Sequence, residues 1–309
     1  MKILIVCSGN VENFNFEIHH AFVFEQIESV KKYYHIDYDT FFIRGTGVLG
    51  YLGNLRKLRK KIREYSPDFV HAHFGLSGLL TCLQRIVPIV ITFHGSDANI
   101  PELRYLSRLG AKLSKYNIFV SEKIRKRIDG NNRYSIVPCG INLDVFYPIV
   151  MKTAREKLNM ALEKKYILFS SSFTNATKNA ALALSAIAML QFSIEFIELK
   201  NQSRDQVNLL LNASNLLLLT STAEGSPQII KEAMACNCPI VATDVGDIRE
   251  VIAQTEGCYI TTFDPSDVAE NIDLALQFNK RTNGREKIKH FDNKIIAKKI
   301  FDIYQKING

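Results

Sequence analysis

No stretch of eighteen or more uncharged apolar residues occurs in this chain, so no segment is predicted to cross a bilayer as a helix. The opening MKILIVCSGN turns polar too soon for a secretory signal, and a cytoplasmic protein is expected. Six cysteines are present (Cys7, Cys82, Cys139, Cys236, Cys238 and Cys258), but none forms a CxxC pair or a zinc-like spacing. That excludes a disulfide scaffold and a zinc ribbon, and predicts small buried thiols in a reducing compartment. The lone glycine turn of CSGN, at Gly9, is no dinucleotide fingerprint. No helix-turn-helix, zinc-finger or RNA-binding signature accompanies the net charge of +8, so nucleic acid is not an expected partner. Short-period repeats and low-complexity segments are missing too.

What is present is ample apolar material. With 309 residues, 47% of them hydrophobic, the chain can build two ordinary domains or one large α/β unit. Charge is distributed unevenly. Residues 1–147 hold 20 Lys and Arg against 13 Asp and Glu, whereas 148–309 hold 19 against 18, so the positive excess lies in the first half. It is densest in NLRKLRKKIREY. There Leu52, just upstream, with Leu55, Leu58, Ile62 and Tyr65, recurs at helical spacing, and Arg56, Lys57, Arg59, Lys60, Lys61 and Arg63 fill the opposite face. Two readings fit this helix: a solvated amphipathic face, or a patch at Arg56, Lys57, Lys60 and Lys61 for an anionic membrane surface or an acidic substrate.

Short β-branched runs alternate with helical stretches. KILIVCS, IDYDTFFI, DFVHAHF, IVITFHG, YNIFVSE and YSIVPCG read as strands in the first half, and YILFSSS, IEFIELK, NLLLLTS, CPIVATD and GCYITTF in the second. Several are apolar throughout, as strands covered by helices on both faces must be, which predicts parallel, doubly wound sheets. The pattern restarts after VPCGINLDVFYP with a helix from Thr153 to Lys164 and a fresh strand at Tyr166. The predicted domains are therefore 1–147 and 148–309, both Rossmann-like, facing each other across a cleft, with ligands at the carboxyl ends of their strands.

The stretch TAEGSPQIIKEAMACNCPIVATDVGD, Thr222 to Asp247, places Glu224 and Glu232 eight residues apart around a Gly-Ser-Pro. Ser226 suits a helix N-cap and Pro227 a first helical position. Glu224 is then in the exit loop of a strand and Glu232 on the helix, while Gly225, Ser226 and the first free amides can meet a phosphate at the positive helix end. Such a layout suits a nucleotide sugar: amides for the diphosphate, one carboxylate for ribose, the other for the sugar. Solvent-facing helix-start residues are the alternative for either acid.

E-x7-E followed by EAMAC-x-x-PIVATDVGD resembles the C-terminal signature of family 4 retaining glycosyltransferases, the glycosyl transferases group 1 of GT-B architecture. DFVHAHFGLSG with PIVITFHGSD, and VPCGINLDVFYP, resemble that family's N-terminal and hinge-proximal segments. Lys178-Asn179 stands in the place of its Lys-Gly or Lys-Asn, and DNKIIAKKIFDIYQKI, about 293–308, is similar to the terminal helix that packs back on the N-terminal domain. The resemblance implies a metal-independent, retaining transfer of a hexose-type sugar from a UDP- or GDP-type donor, with no cofactor, to a glycan or lipid-linked acceptor. It implies that the enzyme works in bacterial-type polysaccharide or glycolipid assembly as a peripheral protein on the inner face of the cell membrane. It also implies roles. Glu232 holds the ribose, Glu224 contacts the transferred sugar, Lys178 neutralises the diphosphate, and His94 lies at the anomeric side. Gly9 lets the first loop approach the substrates, and Gly225, Ser226, Pro227, Ser172 and Asn142 complete the donor site. The chain departs from the pattern in one place, since the arginine usual five residues before the lysine is Phe173 here. A sugar-nucleotide epimerase and an inactive nucleotide-sugar-binding subunit are the alternatives of the same fold. A metal on His71, His73 and His94, or on Asp37-Tyr38-Asp39 as a DxD site, is not expected.

Overall fold

A computed structural model describes residues 1–308 and divides the chain into two compact units: Met1–Gly140 with the helix from Asn293 onward, and Ile141–Asp292. The first unit carries six strands, β1 (Lys2–Ser8), β2 (Asp37–Ile43), β3 (Phe69–His73), β4 (Ile89–Phe93), β5 (Tyr116–Phe119) and β6 (Tyr134–Ile136). The second carries five, β7 (Tyr166–Phe169), β8 (Glu195–Glu198), β9 (Leu216–Leu219), β10 (Ile240–Thr243) and β11 (Cys258–Thr261). All eleven runs read as strands in the sequence form strands, and every pairing is parallel.

Why several of the runs are apolar throughout is plain from the packing. In β9, Leu217 and Leu219 enter one core with Leu168, Ile230 and Met234, while Leu216 and Leu218 enter another with Ile167, Phe169 and Ile272. In β1, Ile3 and Ile5 face one layer and Leu4 and Val6 the other. Successive side chains point to opposite faces, and helices cover both.

Strand order is β2-β1-β3-β4-β5-β6 in the first sheet and β11-β10-β9-β7-β8 in the second. Each sheet reverses its direction of winding once, between β1 and β3 and between β7 and β9. Loops leaving the strands on either side of such a reversal diverge and leave a crevice at the carboxyl edge, the usual ligand position in open α/β sheets. In the second unit those loops are the ones after β7 and β9, which carry Lys178 and Glu224.

The sequence boundary at Tyr147-Pro148 differs from the observed division at Gly140-Ile141. The intervening segment is gripped by the second unit: Arg285 donates to the carbonyls of Phe146 and Leu143, and Asn212 exchanges hydrogen bonds with the Tyr147 carbonyl and the Ile149 amide. The helix expected from Thr153 to Lys164 is shorter and earlier, Met151–Lys157, and Asn159 beyond it turns left-handed (φ 54°).

Asn293–Asn308, the last helix, lays Ile296, Ala297, Ile300, Ile303 and Tyr304 onto the core of the first unit beside Val23, Ile27 and Phe69. Tyr34 stacks on Phe301, ring centroids 4.3 Å apart. In the basic segment the helix runs Leu55–Tyr65 with Leu58 and Ile62 buried. Leu52 is not part of its apolar face; it ends a separate turn, Gly47–Leu52, and is exposed.

Candidate functional site

In the second unit the loop after β7 closes with a short 3-10 turn, Ala176–Lys178, capped by Asn179 at φ 52°, ψ 54°. A left-handed residue is needed there to turn the chain into the Ala180–Ile187 helix, which is why glycine or asparagine follows the lysine. Thr220, at the end of β9, donates to the carbonyls of Lys178 and Asn179 at 2.9 Å, fixing one crevice loop to the other. Lys178 Nζ then lies 2.6 Å from Glu224 Oε1, which also accepts from the Ser221 hydroxyl at 2.7 Å. Both side chains are mostly screened from solvent, at 19% and 14% exposure. At that depth the pair is far less weakened by water than a surface pair, and a second charged group entering the crevice would have to compete for the ammonium.

Glu232 lies on the Gln228–Ala235 helix, 3% exposed, and its Oε1 accepts from Arg204 Nη1 at 2.6 Å. Arg204 opens the Arg204–Ala213 helix after β8 and stacks its guanidinium 4.6 Å over the Phe146 ring. A nearly buried carboxylate is thus presented with a cation beside it, at the carboxyl end of the sheet. The helix itself starts one residue later than the sequence suggests. Pro227 is the N-cap, and Ser226 does not cap it; its hydroxyl donates to Asp247 Oδ2 and accepts from Lys231 Nζ, both at 2.5 Å.

Two other donor-site candidates are engaged elsewhere. Ser172 donates to Glu198 Oε2 at 3.2 Å, and the same oxygen accepts the Phe173 amide at 2.7 Å. Phe173 packs on Phe169 and Phe196, so the position where the family resemblance leads one to look for arginine is an aromatic contact instead. Asn142 accepts the Asp144 amide at 3.0 Å and so shapes its own turn.

In the first unit His94 follows β4. Its Nε2 lies 3.0 Å from His73 Nδ1 and its Nδ1 3.8 Å from Cys139 Sγ, with Phe22 and Phe74 rings against it. His71 binds Tyr304 through Nδ1 at 2.6 Å and Thr92 through Nε2 at 2.7 Å, so both its nitrogens are committed. Burial drives the His71 and His94 imidazoles down to about 3 and His73 well below its ordinary value. All three are neutral at physiological pH, and His94 is a hydrogen-bonding group rather than a proton reservoir. Asp97 ties the loops after β3 and β4 together, accepting the Gly75 and His94 amides at 2.6 Å each. Gly9 has a packing reason of its own: a side chain there would meet Phe42 Cβ at 3.0 Å and the Arg44 guanidinium at 3.1 Å. Its carbonyl accepts from Arg44.

Of the basic patch, Arg56, Lys57 and Lys60 are exposed, with Lys60 3.6 Å from Glu64, whereas Lys61 pairs with Asp39. That pairing makes Asp39 a structural anion of the first sheet's edge.

Sequence reasoning brought Lys178, Glu224 and the Gly225-Ser226-Pro227 turn to one place. It missed Arg204, Ser221, Lys231 and Asp247. Lys231 alone carried a signal, as a lysine within a helix whose neighbours Ile229, Ile230, Ala233 and Met234 are all apolar.

The Glycosyltransferase Family 4 profile matches residues 16–145, and the Glycosyl transferases group 1 profile residues 191–291. An uncharacterised glycosyltransferase of Methanocaldococcus jannaschii is 26% identical over 300 residues, covering 84% of this chain and 82% of that protein. The N,N'-diacetylbacillosaminyl-diphospho-undecaprenol alpha-1,3-N-acetylgalactosaminyltransferase of Campylobacter jejuni is 24% identical, covering 83% and 81%. Among solved structures, HepE of Anabaena in complex with UDP-glucose superposes with a TM-score of 0.76 at 16% identity, over 99% of this chain and 100% of that one.

Proposed function

This chain belongs to the family 4 glycosyltransferases, of GT-B fold, and we propose that it moves a hexose-type sugar from a nucleotide diphosphate sugar to an acceptor hydroxyl with retention at the anomeric carbon. The observation that carries this reading is the junction of Lys178, Glu224 and the Gly225-Ser226 turn at the winding reversal of the second sheet, with Glu232 one turn along the helix. Lys178 and the turn amides face the leaving diphosphate. Glu224 faces the sugar, and Glu232, held by Arg204, faces the ribose. No carboxylate is assigned as nucleophile: departure and attack share one face of the sugar, and the leaving phosphate takes the acceptor proton. The protein's part is positioning and charge stabilisation, and no metal is assigned a role.

A UDP-type donor is favoured over GDP by the likeness to a fold that holds UDP-glucose. A lipid-linked acceptor is favoured by the relative that acts on a diphospho-undecaprenol glycan, which suits work in polysaccharide or glycolipid assembly. Incubating the protein with a panel of nucleotide sugars and no acceptor tests the class. Slow release of the nucleoside diphosphate is expected, and an epimeric sugar nucleotide in its place would point to an epimerase.

Glu232 and Glu224 divide the labour. Ribose does not react, so contacts from Glu232 are equal in ground and transition states, and Glu232→Gln should raise KM with kcat little changed. A charged hydrogen bond contributes about 1.5–3 kcal/mol, so UDP affinity should fall about ten- to a hundredfold. Glu224→Gln should not weaken UDP binding, since it frees the Lys178 ammonium for the diphosphate, and should lower kcat. Calorimetry with UDP alone separates the two, and equal losses in both variants would contradict the assignment.

No helix among the described residues is long and apolar enough to cross a membrane. We assign the exposed Arg56, Lys57 and Lys60 to an anionic membrane surface on the cytoplasmic side, where each basic group contributes about 1 kcal/mol. Binding to vesicles should rise with anionic lipid content, weaken with salt and vanish when these three charges are reversed. Equal sedimentation of wild type and variant with vesicles would leave the helix a solvated face.

A further inference from the structure

Lys231 is the one charged side chain among the largest fully buried residues, at 0% exposure. Its ammonium donates to Ser226 Oγ at 2.5 Å, and the Ser226 hydroxyl donates to Asp247 Oδ2 at 2.5 Å. Burial pushes the Asp247 carboxyl up, while the Lys231 charge and the Ser226 hydroxyl draw it back down. The three residues come from three places: Ser226 from the loop after β9, Lys231 from the helix that loop opens, and Asp247 from the loop after β10.

Two more contacts join the same loops. Thr243, the last residue of β10, donates to the Ser221 carbonyl at 2.7 Å. Gly246, left-handed at φ 60°, leans so closely on its neighbour that a Cβ there would sit 2.7 Å from the Gly225 carbonyl oxygen and 3.2 Å from the Glu224 carbonyl carbon. The turn that carries Glu224, Gly225 and Ser226 therefore rests on the 243–247 loop along its whole length. A buried lysine is costly unless its charge is met by a partner, and here the partner is the very loop that backs the turn.

We infer that Lys231 is a positioning residue of the donor site, clamping Ser226 and Asp247 so that the Gly225 and Ser226 amides are held in one fixed orientation toward the diphosphate. This role depends on the donor reading given above. Apolar side chains of similar length could fill the space of Lys231, but none could both grip a hydroxyl and neutralise Asp247. The clamp thus acts on the phosphate end of the donor, and Arg204 and Glu232 on the ribose end are outside it. Preorganised donors lose little ordering entropy when they engage, so loosening them weakens the phosphate contacts selectively.

The test compares affinities for UDP and UMP by calorimetry in wild type, Lys231→Met and Ser226→Ala, with circular dichroism and thermal melts reporting the fold. In wild type the second phosphate should raise affinity. In Lys231→Met that gain should shrink at least tenfold, while UMP affinity stays within about threefold. If Lys231→Met fails to fold, Ser226→Ala, which keeps the charge pair and removes only the gripped hydroxyl, should show the same selective shrinkage. A folded variant whose UDP-to-UMP ratio matches the wild type, or which loses both nucleotides in parallel, overturns the clamp. Wild type that binds neither UDP nor GDP overturns the donor reading first, and the clamp with it.

Discussion

Lys178→Ala should lower turnover by about 10²–10³-fold, the loss typical when one preorganised charge-stabilising donor is removed from a site of developing negative charge. The large effect follows from scarcity. Phe173 stands where a second cation belongs in the family pattern, and its ring is packed on Phe169 and Phe196, so under the proposed function only Lys178 and backbone amides are left to meet the leaving diphosphate. Without donor, the Lys178 ammonium is held by Glu224, and the entering diphosphate must share it. On the proposed reading, removing the ammonium therefore strikes twice: the leaving group loses its counter-charge, and Glu224 loses a partner that orients it. The decrease should fall on kcat as well as on kcat/KM, because charge on the bridging oxygen grows only as the bond breaks. Steady-state donor hydrolysis with and without EDTA checks it. A variant within tenfold of wild type, or a wild type silenced by the chelator, would shift the burden of neutralisation from Lys178 to a metal ion.

A second expected result is that acid lability between pH 6.5 and 5 falls on the first unit. His71, His73 and His94 are all held neutral by burial, with folded values well below the ordinary 6.5. The stability they contribute is complete above the unfolded value and is lost as pH falls below 6.5 toward about 3. For His71 alone, the 1.5 pH units between 6.5 and 5 correspond to about 2 kcal/mol at 1.36 kcal/mol per unit, and the other two act in the same direction. Asp97, pushed up by burial, works oppositely as it protonates and offsets part of the loss. Hydrogen exchange at pH 5 should show protection fading in β3 and β4 before β9 and β10. Uniform protection across both sheets, or earlier loss in the second, would rule out the histidines as the acid-sensitive element.

The central strands were legible because, buried on both faces, they are apolar at nearly every position, as in the four leucines of β9, whereas the edge strands β2 and β8 keep polar residues. The loop-and-helix placement of Glu224 and Glu232 was legible from Gly-Ser-Pro alone. Arg204 was not, since its pairing with Glu232 spans 28 residues and depends on where β8 delivers the chain relative to the β9 helix. Ser226 misled for a related reason. Serine before proline favours an N-cap locally, but a buried ammonium and a carboxylate from another loop outbid the helix amides for its hydroxyl. The domain boundary slipped because Arg285, far along the chain, holds the carbonyls of Leu143 and Phe146. Long-range polar contacts leave no periodicity to read.

The return of the last helix to the first unit sets an order of assembly during synthesis. The second unit is one continuous segment, Ile141–Asp292, and can close its core as soon as that segment has left the ribosome. For the first unit, the layer on Ile3, Ile5 and Phe69 stays open until Ile296, Ile300, Ile303 and Tyr304 have been made. The Tyr304–His71 hydrogen bond joins residues 233 apart in sequence. Contacts of such separation form slowly, and the nascent chain meanwhile carries an uncovered apolar sheet face, the kind of surface chaperones bind. Truncation anywhere within the last helix should therefore unmake the half of the protein that was translated first.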